Sequence, residues 1–168
     1  MDNQQERLVS LDYVAGLITG EGCFCFNIVR NKGRGLINPV FQIFMCDKDT
    51  IDTAFATLQS HGLPGYYQAR PMHAVRDQYG VRVHGVKRLK RYCDVFVPIL
   101  TGDKQEAAKI VGEFCDYRLS LHPKAGYSPI DVEFVRRLRE VNGNSKVNRT
   151  SLEELPRILR DYTPNIAL

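Results

Sequence analysis

The fold is decided by one stretch near the N-terminus, residues 10–26, which reads SLDYVAGLITGEGCFCF. Ser10 is a favourable N-cap, and Asp12 in the first turn suits the positive end of a helix dipole, so a helix is predicted through Ile18. The Gly20-Glu21-Gly22 sequence is expected to end that helix. Alternating apolar residues then predict a strand over 23–30, with Phe24, Phe26 and Ile28 facing the core.

The pattern of a helix followed by two strands is repeated once. A returning strand over 39–46 completes the first unit. A helix from Asp47 or Asp49 to about Ser60 and a second hairpin over 66–75 and 79–84 form the second unit. Helices are then predicted over 86–97 and from a capping-box pattern at Asp103–Glu106. Ser128-Pro129 and Thr150 are expected to begin two helices of a tail. The order predicts an α+β fold, αββαββα, with a four-stranded antiparallel sheet and helices on one face. We expect a single domain over 1–168, with its core at about 8–120 and its helical tail at about 128–162.

The composition is that of a globular protein. The 168 residues are 43% hydrophobic and 25% charged, which excludes disorder as the main character of the chain. We expect no membrane span, because no apolar run approaches 18 residues, and the polar N-terminus predicts no leader peptide. Five cysteines without a CxxC pair predict buried, reduced thiols in an intracellular protein, and their spacing from the four histidines argues against structural zinc.

Positive charge is concentrated on the two predicted hairpins. The formal charge of the chain is +4. Residues 22–46 carry +3 and residues 62–93 carry +6, which leaves −5 for the remainder. A basic sheet on an acidic body favours nucleic-acid binding. On charge alone, however, a solvated basic face without a partner is about equally probable.

The period-2 pattern predicts which side chains lie on the open face of the sheet. Cys25, Asn27 and Val29 should face away from the helices, as should Gln68 with Arg70 and Arg82 with His84. Asn, Gln and Arg are side chains that read base edges in a major groove, which also admits a two-stranded ribbon.

Residues 14–24, VAGLITGEGCF, resemble the signature motif of the LAGLIDADG homing endonucleases. The resemblance covers nearly the whole chain and is closest to the single-motif, homodimeric branch encoded in group I introns. It implies a site-specific endonuclease that cuts both strands of a long, nearly palindromic DNA site and leaves 3′ overhangs. Arginine outnumbers lysine 15 to 8, which favours a prokaryotic or archaeal cytoplasm as the host compartment and leaves an organelle (chloroplast or mitochondrion) as the alternative.

The motif implies a metal site shared between two copies of the chain. Small residues leave one side of its helix bare for a second such helix, so a homodimer is expected, with Tyr13, Ala15, Gly16 and Thr19 at its interface. A carboxylate at the negative end of a helix is unfavourable unless a cation neutralises it. Glu21 is therefore expected to bind Mg²⁺, with the Gly20 carbonyl as a possible second ligand. Mn²⁺ or Ca²⁺ could occupy the site, with Ca²⁺ not supporting cleavage.

For the other roles that the resemblance implies, the residues of this sequence match the family's pattern less closely. Asp47 falls where the family carries a polar residue that orients water. The family's catalytic lysine aligns with Gly102, which makes Lys104 its nearest substitute, with Lys90 or Arg70 as alternatives. Thr19 stands at the first acidic position of the motif. The residues expected to contact base edges are Asn27, Arg34, Gln42, Gln68, Arg70 and Arg82, and those expected to contact phosphates are Lys146 and Arg149. Arg30, Lys32, Asn38 and His84 are also expected to contact DNA.

Two alternatives stay open at this point. One is a nucleic-acid binder on the same scaffold that does not cleave, either an RNA maturase or a DNA-binding regulator. The other is an interaction module whose basic face meets an acidic protein.

Overall fold

The computed structural model describes residues 8–70, 76–143 and 150–164. Within them the elements follow the predicted order: α1 (Leu11–Glu21), β1 (Gly22–Asn31), β2 (Arg34–Met45), α2 (Lys48–Ser60), β3 (Tyr66–Arg70), β4 (Gln78–His84), α3 (Val86–Phe96), α4 (Gly102–Ser120), α5 (Pro129–Val141) and α6 (Leu155–Ile158). The predicted α+β class, with one four-stranded antiparallel sheet, is confirmed.

The sheet has the strand order β1-β2-β4-β3, and all of its pairs are antiparallel. Phe24, Phe41 and Val83 lie side by side on β1, β2 and β4, and all three are fully buried. Their face carries the helices: the Phe41 ring lies 5.3 Å from Tyr92 of α3, and Phe26 on β1 lies 4.7 Å from Phe114 of α4. The opposite face of the sheet is left to the polar side chains described below.

Several element boundaries differ from the sequence prediction. Helix α1 continues through Gly20 and ends at Glu21, because the Gly22 N–H still donates to the Ile18 carbonyl. Strand β2 begins at Arg34 rather than 39, since a tight turn at Lys32 and Gly33, with φ of 49° and 80°, lets both strands pair up to the tip.

Two helix starts also differ. Thr101, not Asp103, occupies the N-cap of α4, so the predicted capping box there is wrong. A turn precedes α6, which begins at Leu155. The capping box at Ser128 is present, with Asp131 as its second member.

The tail returns to the first hairpin. Strand β4 pairs with β2 only over Val40–Met45, so β2 has a free edge near its beginning. Leu159 bridges to Gly35 at that edge, and the Arg160 N–H donates to the Gly35 carbonyl at 3.0 Å. The tail therefore covers a strand edge that would otherwise be open to another chain.

The cysteines are free thiols, of which Cys93 and Cys115 are buried and Cys46 is exposed. Cys46 therefore departs from the predicted burial. Among the described helices, none combines the length and the apolar character that crossing a bilayer requires.

Candidate metal site and nucleic-acid interface

The end of α1 places a carboxylate at the rim of the sheet. Glu21 is the last residue of the helix, is exposed, and has no ion pair within the described residues. A Cβ at Gly22 would lie 2.7 Å from both the Cα and the carbonyl oxygen of Ile18. The chain can pass directly from helix to strand only because residue 22 is a glycine, and this fixes Glu21 at the junction.

A lysine from α4 contacts the same junction. Helix α1 has no basic residue in its last turn, and the half-buried Lys104 donates from Nζ to the Gly22 carbonyl at 2.5 Å. A hydrogen bond from the neighbouring Cys25 thiol, together with the charge of Lys104, lowers the pKa of the Cys23 thiol to about 7 against the effect of its burial. A positive group thus lies next to the residue that follows Glu21, where a cation also stabilises the helix end.

Asp47 caps helix α2. Its carboxylate accepts from the Asp49 and Thr50 N–H groups and from the Thr50 hydroxyl, the last at 2.8 Å. The Thr50 hydroxyl, more than the two N–H groups, lowers the pKa of Asp47. Both carboxylate oxygens are engaged in this cap, so a role in orienting water stays a prediction that no contact supports.

The outer face of α1 is bare within the described part of the chain. A Cβ added at Gly16 or at Gly20 would meet none of the described atoms within 4 Å, and the Tyr13 side chain is 46% exposed. Thr19 is exposed and donates from Oγ1 to the Ala15 carbonyl at 2.9 Å. Nothing in the described residues of one chain therefore requires glycine at 16 or 20.

Ala15 was expected on this bare face, and the structure corrects that placement. Its side chain is 4% exposed and belongs to the core, with Val14 and Ile18. A helix turns by 100° per residue, so Ala15 points inward while Gly16 points outward.

Polar side chains form cross-strand rows on the open face. Cys23, Gln42 and Arg82 are paired across β1, β2 and β4, and Asn27 is paired with Asn38. All five are partly exposed. The Nε of Arg82 is buried without a hydrogen-bond partner in the described structure.

Two aromatic contacts on the open face were not predicted. The Arg70 guanidinium lies 3.8 Å above the Phe44 ring, in the geometry of a cation–π contact. The ring needs Gly80 opposite it, because a Cβ there would lie 2.3 Å from the Phe44 Cδ1. A glycine inside a strand indicates such a close approach, so Gly80 was a sequence signal that another group packs against β4 at this position.

The second aromatic contact lies at the beginning of β3. The Tyr66 ring stacks on His84 at 5.0 Å, and its hydroxyl accepts from Arg88 at 2.8 Å. Partial burial, followed by the charges of Arg82 and Arg88, lowers the pKa of His84.

The remaining predicted contacts are spread over the ends of the sheet. Arg30, Lys32 and Arg34 are exposed at the tip of the first hairpin, and Gln68 accepts from Arg70 at 3.5 Å. Lys146 and Arg149 lie outside the described residues.

The oxygen donors at the end of α1 fit a hard divalent cation. One exposed carboxylate and the adjacent carbonyls are the ligand type that Mg²⁺ and Ca²⁺ take. Within the described residues no group of three or more potential metal-binding side chains occurs. A single chain thus offers a partial site.

Comparison with known proteins identifies structural relatives. No protein-family model and no curated protein sequence matches the chain. Its structural neighbours are LAGLIDADG homing endonucleases. I-CvuI in complex with a DNA target is 17% identical, with a TM-score of 0.66 over 88% of this chain and 90% of that one. The archaeal intron-encoded I-Vdi141I bound to DNA is 16% identical, with a TM-score of 0.62 over 87% and 91%.

A third neighbour is longer. The LAGLIDADG homing endonuclease I-GzeII, in complex with its DNA target, is 16% identical, with a TM-score of 0.63. The match covers 95% of this chain but 53% of that one. At these identities the similarity establishes the fold.

Proposed function

We propose that the protein is a homodimeric, divalent-metal-dependent endonuclease that cuts both strands of a specific DNA site, with an origin in a group I intron. The observation that carries the proposal is the exposed Glu21 carboxylate at the end of α1, beside a helix face that is bare in one chain. A carboxylate at a negative helix end has no structural purpose in a single chain, whereas two of them can bind a cation between them. The DNA complexes of the structural neighbours support the choice of substrate.

In each chain, one set of residues would bind the cation and another set would bind the DNA. Glu21, with the Gly20 carbonyl as a second ligand, would hold Mg²⁺, and the cation would supply activation of water and charge stabilisation at the leaving 3′ oxygen. Lys104 would place its positive charge near the phosphate under attack. Neighbouring structures obtained with Mg²⁺ and with Ca²⁺ support a divalent cation.

The open face of the sheet would read the DNA sequence. Arg70 is held in place by the Phe44 ring and Gln68, so it loses little side-chain entropy when it binds a guanine edge. Arg82 offers its unpartnered Nε, and Gln42, Asn27 and Asn38 supply further donors and acceptors in the same rows. The hairpin residues Arg30, Lys32 and Arg34, and Lys146 and Arg149 of the tail, would contact phosphates.

A binder that does not cleave is the second candidate, and Gly102 favours it. This residue stands where the resemblance expects a catalytic lysine, and its φ of +59° is unfavourable for any side chain. Lys104 is then the basic group on which cleavage depends.

Selection of cleaved molecules from a random DNA library in Mg²⁺ tests the proposal. We expect cleavage of a nearly palindromic site with 3′ overhangs, and none in Ca²⁺. Glu21→Gln should abolish cleavage while the Kd for the selected site stays within about threefold, because the amide retains the size of the side chain. If the unmutated protein binds DNA without any cleavage, the endonuclease proposal is wrong and the second candidate, a binder that does not cleave, is supported.

A further inference from the structure

The tip of the first hairpin and the tail together form a small basic pocket. Lys32, Arg34 and Leu36 of the hairpin and Arg160 of the tail line a cavity of about 370 Å³. Asp161 is the acid nearest to its arginines, with its carboxylate 4.0 Å from the Arg34 Nη1 and 3.6 Å from the Arg160 Nε. Three cations against one carboxylate leave the pocket at +2.

The position of Arg160 is fixed by the backbone around it. Its N–H donates to the Gly35 carbonyl at 3.0 Å, and its carbonyl accepts from the Tyr127 N–H at 3.3 Å. A Cβ at Gly35 would lie 2.9 Å from the Ile158 carbonyl oxygen, and one at Gly126 would lie 1.9 Å from that of Asp161. The close approach at both glycines holds the tail against the hairpin.

The pocket lies on the open face of the sheet. Alternate residues of a strand share a face, so Arg34 and Leu36 are on the same side of β2 as Asn38 and Gln42. The Nε of Arg160 makes no hydrogen bond in the described structure and faces the Asp161 carboxylate at 3.6 Å, and the guanidinium is about one-third exposed. A partly exposed guanidinium beside two further cations is suited to an anionic oxygen.

We propose that this pocket binds one phosphodiester group of the DNA backbone at the outer end of each half-site, with Arg160 as the residue that the tail contributes. The inference rests on the proposed function, because it assumes that the open face binds DNA. It adds a positioning role: the pocket fixes the register of the hairpin on the duplex without reading its sequence. A free phosphate ion shares the same chemistry, but the pocket is continuous with the row of base-reading side chains, and this favours the backbone of DNA.

Salt dependence of DNA binding tests the pocket. The probe is a fluorescent duplex of random sequence, because phosphate contacts persist on non-specific DNA. Each phosphate contact contributes about −0.9 to the slope of log K against log salt, so its loss reduces the change in Kd between about 50 and 200 mM salt by about 3.5-fold. In a homodimer Arg160→Ala removes two contacts, and the expected reduction is about 12-fold.

Three variants separate this role from a structural one. Arg160→Lys should retain the slope of the unmutated protein, because it keeps the charge. Arg157→Ala removes an exposed arginine of α6 outside the pocket and should also leave the slope unchanged. Asp161→Asn should tighten binding by about twofold, because it removes the negative charge beside the phosphate; asparagine also suits the φ of 49° at that position.

The outcomes distinguish the two proposals. If the unmutated protein binds no duplex at low salt, the proposed function fails. If it binds, but Arg160→Ala has the same slope as Arg157→Ala, the pocket does not contact phosphate. Binding of millimolar inorganic phosphate by the unmutated protein but not by Arg160→Ala, with the two proteins sharing one salt slope for the duplex, would assign the pocket to a free anion and overturn the inference.

Discussion

Gly16→Ala is expected to stabilise one chain and to break the proposed dimer. The residue lies inside α1, and its added Cβ would meet nothing within 4 Å. Alanine is more favourable than glycine in a helix interior by about 1 kcal/mol, so the free energy of unfolding of the monomer should rise by about that amount. A single chain therefore has no reason to retain glycine here.

Self-association should be weakened by the same substitution. If two α1 helices pack with their backbones in close contact, each added methyl group overpacks the contact, at about 1–3 kcal/mol. Two-fold symmetry applies this cost twice, giving about 2–6 kcal/mol, or a dissociation constant raised by about 30-fold to 20,000-fold. The propensity gain is present in both monomer and dimer, so it cancels from this difference.

Sedimentation equilibrium over a concentration series measures the dissociation constant, and urea unfolding below that concentration measures the monomer. Lys109→Ala, at an exposed position of α4, is the control and should leave self-association unchanged. The reasoning is refuted if Gly16→Ala dimerises as tightly as the unmutated chain, or if the unmutated chain is a monomer at every concentration.

Three further predictions concern stability. Gly22→Ala should lower the free energy of unfolding by more than about 2 kcal/mol, measured in urea, because its Cβ would lie 2.7 Å from the backbone of Ile18; unchanged stability would contradict the assigned tight junction. Tyr92→Phe should cost about 1–2 kcal/mol, because it removes the hydrogen bond to the buried Leu63 carbonyl at 2.9 Å, and a difference below about 0.5 kcal/mol would show that water replaces the hydroxyl. The lowered pKa of Asp47 means that its cap stabilises the protein above the ordinary pKa of about 4 and that this contribution is lost as the pH falls through the lowered value. Asp47→Ala should therefore be less stable than the unmutated protein at pH 7, and this difference in thermal unfolding should shrink as the pH falls below about 4. A difference that stays constant at acidic pH would argue against the cap.

The architecture was predictable because its signals are local. The period-2 pattern of Phe24 and Phe26 and the helix start at Ser128-Pro129 depend on neighbours in the sequence, and both appear in the structure. The facing of Ala15 was wrong for a reason of geometry: a motif of small residues does not say which of them points inward, whereas the 100° turn between residues 15 and 16 does.

The site was predictable only where one residue carries its chemistry. Glu21 stands out because an acid is unfavourable at a helix end. The contacts of Arg70 with Phe44 and of Arg160 with the first hairpin join residues distant in the sequence, and no local pattern specifies them. Glycines 35, 80 and 126 do mark such close approaches, but a glycine alone does not identify what approaches it.

The return of the tail to the first hairpin constrains when the protein can acquire its final shape. The Tyr127 hydroxyl accepts the Ile37 N–H at 3.0 Å across 90 residues of chain, and the bridge at Gly35 spans a still longer interval. Contacts of such separation form late, because the entropy of closing the loop must be lost before they can stabilise the fold. On the ribosome, the hairpin can pair as soon as its strands emerge, but its tip stays unsupported until Leu159 has been synthesised. A chain released before that point would keep the sheet and lack a fixed tip.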